Sequence, residues 1–331
     1  MILKKNPVYG YAALFAAIAL LPLLGAYPIF VMKVLCYALF ACAFNLLIGF
    51  TGLLSFGHAA FLGTAGYAAG HALKVWGFPP LLGLAFGGLA AAGVGLVFGL
   101  LAIKRSGIYF SMITLALSQM LFFFFLQAKF TGGEDGLQSV PRGQVLGIDM
   151  GNDLTLYYVV LAVFIAAFWL IYRTVNSPFG QVLTSIRENE PRAISLGYDV
   201  DRFKLLAFVL SAGLAGLAGA MKTWVLGFAT LTDAVWTTSG AVILMTLVGG
   251  MGTLVGPIVG ALVIIALENK IGDFGQALAG LTGVQWFNGL GESVSLVTGL
   301  IFIVCVLAFR RGLVGEAAAL WERWGANRRG A

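Results

Sequence analysis

Residues 34–73 contain no Asp, Glu, Lys or Arg. A helix of about 20 apolar residues crosses the ~30 Å of a bilayer's hydrocarbon. This one run is therefore long enough for two crossings, and Gly49-Phe50-Thr51-Gly52 is its natural break. Further charge-poor runs follow the same rule. Residues 6–32 give a first helix, and 75–103, 106–128 and 154–172 give helices four to six. Residues 205–226 give a seventh, carrying Lys222 near its end. Residues 234–267 give two more, broken at Gly249-Gly250-Met251-Gly252, and 293–309 give a tenth. The expected fold is all-α: one polytopic integral membrane helix bundle over 1–331, of about ten transmembrane helices. Phe274–Leu290 is interrupted by polar residues and belongs to an outer loop, 268–292, with room for an interfacial helix.

Composition agrees. Only 10% of the residues are charged and the mean hydropathy is +0.95, whereas a soluble domain carries roughly 25% charged residues. Met1–Pro7 is basic and leads into apolar Val8–Tyr27, but no small-residue cleavage site precedes a soluble domain. That run is expected to stay as a helix. The pI near 9.3 reflects short clusters between apolar runs, a pattern of membrane orientation rather than of nucleic-acid binding. With ten spans, most of the 20 Lys and Arg fall on one side: Lys4-Lys5, Lys104-Arg105, Arg173, the cations of 187–204, Arg310-Arg311 and the terminal arginines. The basic side faces the cytoplasm. Both termini are then cytoplasmic, and 129–153 and 268–292 are periplasmic loops of a bacterial inner-membrane protein.

Without a hydrophobic drive between helices in lipid, close backbone contact must hold the bundle. Glycines recur at the required spacing: Gly66/Gly70, Gly83/Gly87, Gly95/Gly99, Gly252/Gly256/Gly260 and the ridge Gly213, Gly216, Gly219. The two glycine breaks precede similar small-residue helices, which admits two inverted five-helix halves.

No enzyme motif is present. There is no H-E-x-x-H, no G-x-S-x-G, and Gly is never followed by Lys, so no Walker A sequence exists. Cys36, Cys42 and Cys305 lie in apolar runs without metal-ligand spacing; no catalytic group, metal or cofactor is expected. Ionisable groups inside a membrane usually mark ion or substrate paths, and this chain shows almost none. Asn45, Ser55, His58 and Gln119 are the polar candidates for a translocation path, or for hydrogen bonds between helices. Asp233 and Glu268 fall near the expected outer boundary, where water reaches them. An ion-coupled secondary carrier would need a buried acid, and the scarcity of one argues against that class.

The loop 174–204 is the most informative. Ser177-Pro178 is a helix start, with Ser as cap and Pro in the first turn. Val182, Leu183 and Ile186 share one face. A second short helix follows Pro191 and ends at Gly197. Two amphipathic helices in one loop form a knob for a soluble partner, or a solvated linker. The turn Thr131–Gly136 suits a surface that meets an extracytoplasmic partner.

Four blocks of sequence together resemble the permeases of branched-chain amino acid ABC importers, of the LivM type in the hydrophobic amino acid uptake family. They are Asn45–Phe61; Thr114–Gln119 with Thr131–Leu137; Arg187–Phe208; and Gly249–Gly260. The resemblance runs over roughly 30–312. It implies a LivH-type permease subunit as partner, two ABC ATPase subunits and a periplasmic amino-acid-binding protein. It also implies that Arg187, Glu188, Glu190, Arg192, Ala193 and Gly197 belong to an ATPase-coupling loop. That loop departs from the general E-A-A-x-x-x-G pattern at Glu190-Pro191-Arg192-Ala193. Related urea or amide permeases share the first and fourth blocks.

Overall fold

The computed structural model describes residues 7–282 except 146, together with 299–300, 303 and 312–316. The tenth expected span, 293–309, and Cys305 lie essentially outside those residues. The described chain is a helix bundle: α1 Pro7–Leu20, α2 Pro28–Thr51, α3 His58–Lys74, α4 Pro80–Ala102, α5 Ile108–Gln127, α6 Asp153–Val175, α7 Pro178–Glu188, α8 Glu190–Ser195, α9 Val200–Leu226, α10 Trp236–Gly249 and α11 Gly256–Thr282. Among them α2, α4, α5, α6 and α9 are each long and apolar enough to cross a membrane.

The expected single helix over 6–32 is two. A 3-10 turn, Leu21–Leu24, follows α1, and Gly25 closes it in the left-handed conformation. Pro28 then opens α2. Charge gaps cannot reveal this, because prolines interrupt a helix without carrying charge. α1 packs on α6 through rings: Phe15 meets Phe168 at 5.2 Å and Tyr11 meets Tyr172 at 5.6 Å between centroids. The Tyr157 hydroxyl donates to the Ile18 carbonyl at 2.6 Å.

α9 is the axis, packed against α2, α3 and α4. The glycine stripes lie in these seams. A Cβ on Gly87 would press against Ala65, Ala69 and Ala220, and one on Gly219 would collide with the Leu62 backbone. Small residues let the backbones close up, as a lipid-solvated bundle requires. α4 and α5 turn long apolar rows outward, including Leu89, Leu100, Met120 and Phe124.

α11 continues through Glu268 to Thr282. The first part of the expected outer loop 268–292 is therefore helical, and the remainder lies outside the described residues. In 129–153 the chain makes two 3-10 turns, Lys129–Thr131 and Gly133–Asp135, and a small antiparallel hairpin of β1 Gln144–Val145 and β2 Ile148–Asp149. This loop is bonded down onto the chain after α9: Leu137 pairs with Ala229, and Val140 N–H donates to the Gly227 carbonyl at 2.8 Å.

From Gly227 the chain does not go straight into α10. Leu137 and Val140, tied to 227–229, sit against Gly70, whereas Ala234 sits against Gly63. Seven residues of α3 at 1.5 Å each separate these levels, so 227–234 descends about 10 Å into the bundle. It ends in the 3-10 turn Leu231–Ala234. α10 starts from that depth, which is why it needs only 14 residues.

Candidate functional site

The two glycine breaks meet. The Asn45 side chain, 2% exposed, spans them. Its Oδ1 accepts from Gly252 N–H at 2.9 Å and its Nδ2 donates to the Thr253 carbonyl at 2.8 Å. One amide thereby satisfies two backbone groups of the linker between α10 and α11. Thr253 does the rest, donating to the Gly250 carbonyl at 2.8 Å and accepting from Gly256 N–H at 3.0 Å.

The five break glycines divide by role. Gly52 and Gly252 have φ of 75° and 74°, and Gly250 has 119°; they turn the chain where a side chain would be strained. Gly49 and Gly249 lie inside α2 and α10. They are needed for approach: a Cβ on Gly49 would reach 2.8 Å from Gly252 N, and one on Gly249 would collide with the Gly256 carbonyl.

The α7–α8 loop reaches into this junction. Ser177 caps α7, its Oγ accepting from Gly180 N–H, and Asn189 caps α8 by accepting from Arg192 N–H at 3.0 Å. Ile186, Ala193 and Val200 form a small apolar cluster with Val182 against it. Gly197, φ 88°, ends the second helix. From this base Arg187 Nη1 donates to the Gly49 carbonyl. The Arg187 stem covers Gly52, where an added Cβ would come within 3.1 Å of its Cγ, and Nη1 lies 3.5 Å from the same position on Gly252. One guanidinium on an exposed loop thus touches both breaks.

The other loop residues separate. Glu188 and Arg192 are exposed. Ala193 is buried and packs the loop on itself. Glu190 has an internal task, bonding Lys204 at 2.7 Å at the foot of α9, where the Lys204 side chain is only 5% exposed. Ile194, Leu196 and Tyr198 stand out into solvent, 58%, 66% and 41% exposed.

His58 is sealed among Phe44, Phe61 and Phe208, all edge-on to its ring. Its Nε2 is 2.9 Å from Ser211 Oγ, which bonds the Ala43 carbonyl at 2.6 Å. A hydroxyl has one proton, so Ser211 gives it to Ala43 and accepts from His58 Nε2–H. Nδ1 is then the acceptor nitrogen, and it has no hydrogen-bond partner among the described residues. Ser55 is buried, accepting from Gly57 N–H at 3.2 Å. The chain of that break is held by α5: Ser111 donates to the Leu54 carbonyl at 2.6 Å, and Thr114 Oγ1 accepts from Phe56 N–H at 3.2 Å. Gln119 is half-buried, with Nε2 unpartnered beside the unpartnered hydroxyl of Ser118. Asn45 and His58 therefore join helices at one end of the bundle, Ser55 holds its own turn through Gly57, and Gln119 stands apart from that network.

The sequence reading of Asp233 is overturned. It is buried, as is Lys222, and the two form an ion pair. The descent of 227–234 carries Asp233 inward, a bend with no signature in hydropathy. Sequence separation alone, eleven residues across a non-helical turn, gives no helical pairing signal.

These features define a multi-pass helical membrane protein in which an exposed two-helix loop is locked to two breaks in its own bundle. Residues 28–307 match the family described as branched-chain amino acid transport system / permease component. The chain belongs to that family. It is 25% identical over 291 residues to the high-affinity branched-chain amino acid transport system permease protein LivM of Escherichia coli (strain K12), covering 78% of this chain and 68% of that one. LivM of Salmonella typhimurium (strain LT2) is 24% identical over 264 residues, covering 72% and 62%. The ribose import permease protein RbsC of Bacillus subtilis (strain 168) is 32% identical over 190 residues, covering 54% and 51%. The matched segments span about two thirds of the LivM chains and half of RbsC.

Proposed function

We propose that the chain is the permease subunit of an ATP-driven importer that moves branched-chain or other hydrophobic amino acids across the inner membrane by alternating access. Its partners would be a LivH-type permease subunit, two ABC ATPase subunits and a periplasmic amino-acid-binding protein. The observation that carries the reading is the Arg187 bond to the Gly49 carbonyl. It links a loop with three exposed apolar side chains, Ile194, Leu196 and Tyr198, to the breaks where α2–α3 and α10–α11 bend. Exposed apolar groups beside charges suit a protein partner. A partner that hydrolyses ATP would push on α7–α8, and Arg187 would carry the displacement to the breaks.

In this reading the bundle has ten spans in two inverted halves, the termini and α7–α8 are cytoplasmic, and the Lys222 end is periplasmic. Glu188, Arg192 and the exposed apolar trio meet the ATPase, while Glu190 braces the loop from inside. Gln119 and Ser118, polar and unpartnered on α5, are the candidates for the substrate path, and Asn45, Ser55 and His58 hold its walls. The substrate rests on less than the mechanism, since RbsC is named for ribose import; permeases for urea or amides are the alternative.

An ion-coupled carrier is the reading from another class. Asp233 removes the argument that no buried acid exists, but Lys222 already neutralises it. Liposomes holding the assembled complex separate the two. Leucine uptake requiring both ATP and binding protein is expected; uptake on an ion gradient alone would overturn the proposal. Deleting 187–197 should leave membrane insertion intact and abolish co-purification of the ATPases.

A further inference from the structure

One ion pair in the described chain has both partners buried, and it has no part in the Arg187 junction. Lys222 is 7% and Asp233 6% exposed, and they are joined side chain to side chain. The Lys222 ammonium lies 5.7 Å from the centre of the Tyr37 ring. Lys33 and Glu268 are the other charged groups at this end, with Glu268 acting on Tyr37 and Lys33 on Glu268. Two hydroxyls are buried without hydrogen-bond partners among the described residues, Thr223 on α9 and Tyr67 on α3. Asp233 is near enough to Tyr67 to act on it electrostatically. The void lined by Cys36, Tyr37, Leu62, Ala218 and Lys222 admits no water.

A charge pair with both partners buried is costly to assemble and more costly to split. Packed apolar residues would hold this end at least as well, so the pair calls for a use other than adhesion. Its position supplies one. Asp233 rides on the 227–234 segment, which has no α-helix, only the short 3-10 turn Leu231–Ala234, and is fastened to the outer loop by Leu137 and Val140. Irregular backbone and ionisable side chains at membrane depth are the usual marks of a solute path.

We propose that Lys222 and Asp233 form an exchangeable seal that receives the zwitterionic head of an α-amino acid. When Asp233 moves off with its segment, Lys222 takes the solute's carboxylate and Asp233 its ammonium. The hydroxyls of Thr223 and Tyr67 supply the remaining hydrogen bonds. Both buried charges are then satisfied throughout, which a solute with one charge or none cannot achieve. When the solute leaves, the pair re-forms and the path closes. This site rests on the amino-acid reading of the function given above and extends it to a location.

The test uses the full-length chain in lipid nanodiscs, without partners. Saturation-transfer NMR would compare L-leucine with leucinamide, which lacks the carboxylate, and 4-methylpentanoate, which lacks the ammonium. The expected result is a methyl signal from leucine at least tenfold above that from either analogue. Lys222→Met and Asp233→Asn should each reduce the leucine signal at least tenfold. The exchange Lys222→Asp with Asp233→Lys restores a pair and should keep binding, since a zwitterion can turn round. That variant, checked for monodispersity, keeps the proposal open to refutation if the single variants fail to fold. Equal signals from all three solutes, unchanged binding in either folded single variant, or a folded exchange variant that does not bind would each overturn it. Failure here, with ATP-driven leucine uptake intact in the assembled complex, sinks this site alone. Absence of that uptake, with leucine still bound, sinks the transport reading instead.

Discussion

Two levels of α2, its Gly49 end and its middle at Tyr37, are fastened by opposite means. At Gly49 the fastening is neutral backbone and amide, Asn45 to Gly252 and Thr253, with one exposed cation, Arg187, laid across from a loop. At Tyr37, about 18 Å back along the helix at 1.5 Å per residue, it is a buried ion pair. Each neutral hydrogen bond is worth about 1 kcal/mol, and the Arg187 end opens to solvent, so it can yield to a push from outside. The ion pair is buried, and parting it without replacements leaves two poorly solvated charges. Under the proposed mechanism the first is moved, and the second stays shut until something equivalent is offered.

Substitutions can break this contrast. The largest effect belongs to the pair. Lys222→Met or Asp233→Asn strands a buried charge and should lower stability by about 3–5 kcal/mol. Lys222→Met with Asp233→Leu should leave stability unchanged or raised. Thermal unfolding in nanodiscs gives both, and a double variant as unstable as the singles would mean that the pair serves adhesion after all.

Next is Asn45→Ala, which orphans the Gly252 N–H and the Thr253 carbonyl. A loss of about 1–3 kcal/mol is expected, together with faster hydrogen exchange at Gly252 and its neighbours. Unchanged exchange would show that the breaks do not depend on each other.

Gly52→Ala should cost about 1–2 kcal/mol, because φ is 75° there and a Cβ crowds the Arg187 stem. Combined with Arg187→Ala, the crowding part of that loss should disappear and the left-handed part remain. Full additivity in the unfolding data would place Arg187 away from Gly52.

The smallest effect is Glu190→Gln. Lys204 is nearly buried, but the Glu190 side chain is 40% exposed and Gln keeps an oxygen that accepts from the ammonium, so the loss should stay at about 1 kcal/mol. ATPase co-purification should be nearly normal. A complete loss would make Glu190 a direct partner contact rather than a brace.

Much of the moving end was legible in the chain. The Ser177-Pro178 start, the face of Val182, Leu183 and Ile186, and the stop at Gly197 are local signals, and local hydrogen bonding realises them. The two breaks could be seen for the same reason, since glycine clusters interrupt an otherwise apolar run. That they meet could not be seen, because Asn45 bonds a residue 208 positions away. The shut end was misread. Hydropathy treats Asp233 as a boundary residue, and only the 10 Å descent of 227–234 takes it inside with Lys222. Charge spacing likewise missed the break at Gly25 and the continuation of α11 through Glu268, one uncharged and the other a charge tolerated within a helix.

The central claim is that Arg187 carries motion from the exposed loop to the breaks. Its direct test is the ratio of leucine imported to ATP hydrolysed by the reconstituted complex with Arg187→Ala. The account expects the ATPases to remain attached and active while the ratio falls at least tenfold. A ratio equal to that of the unaltered complex would contradict it.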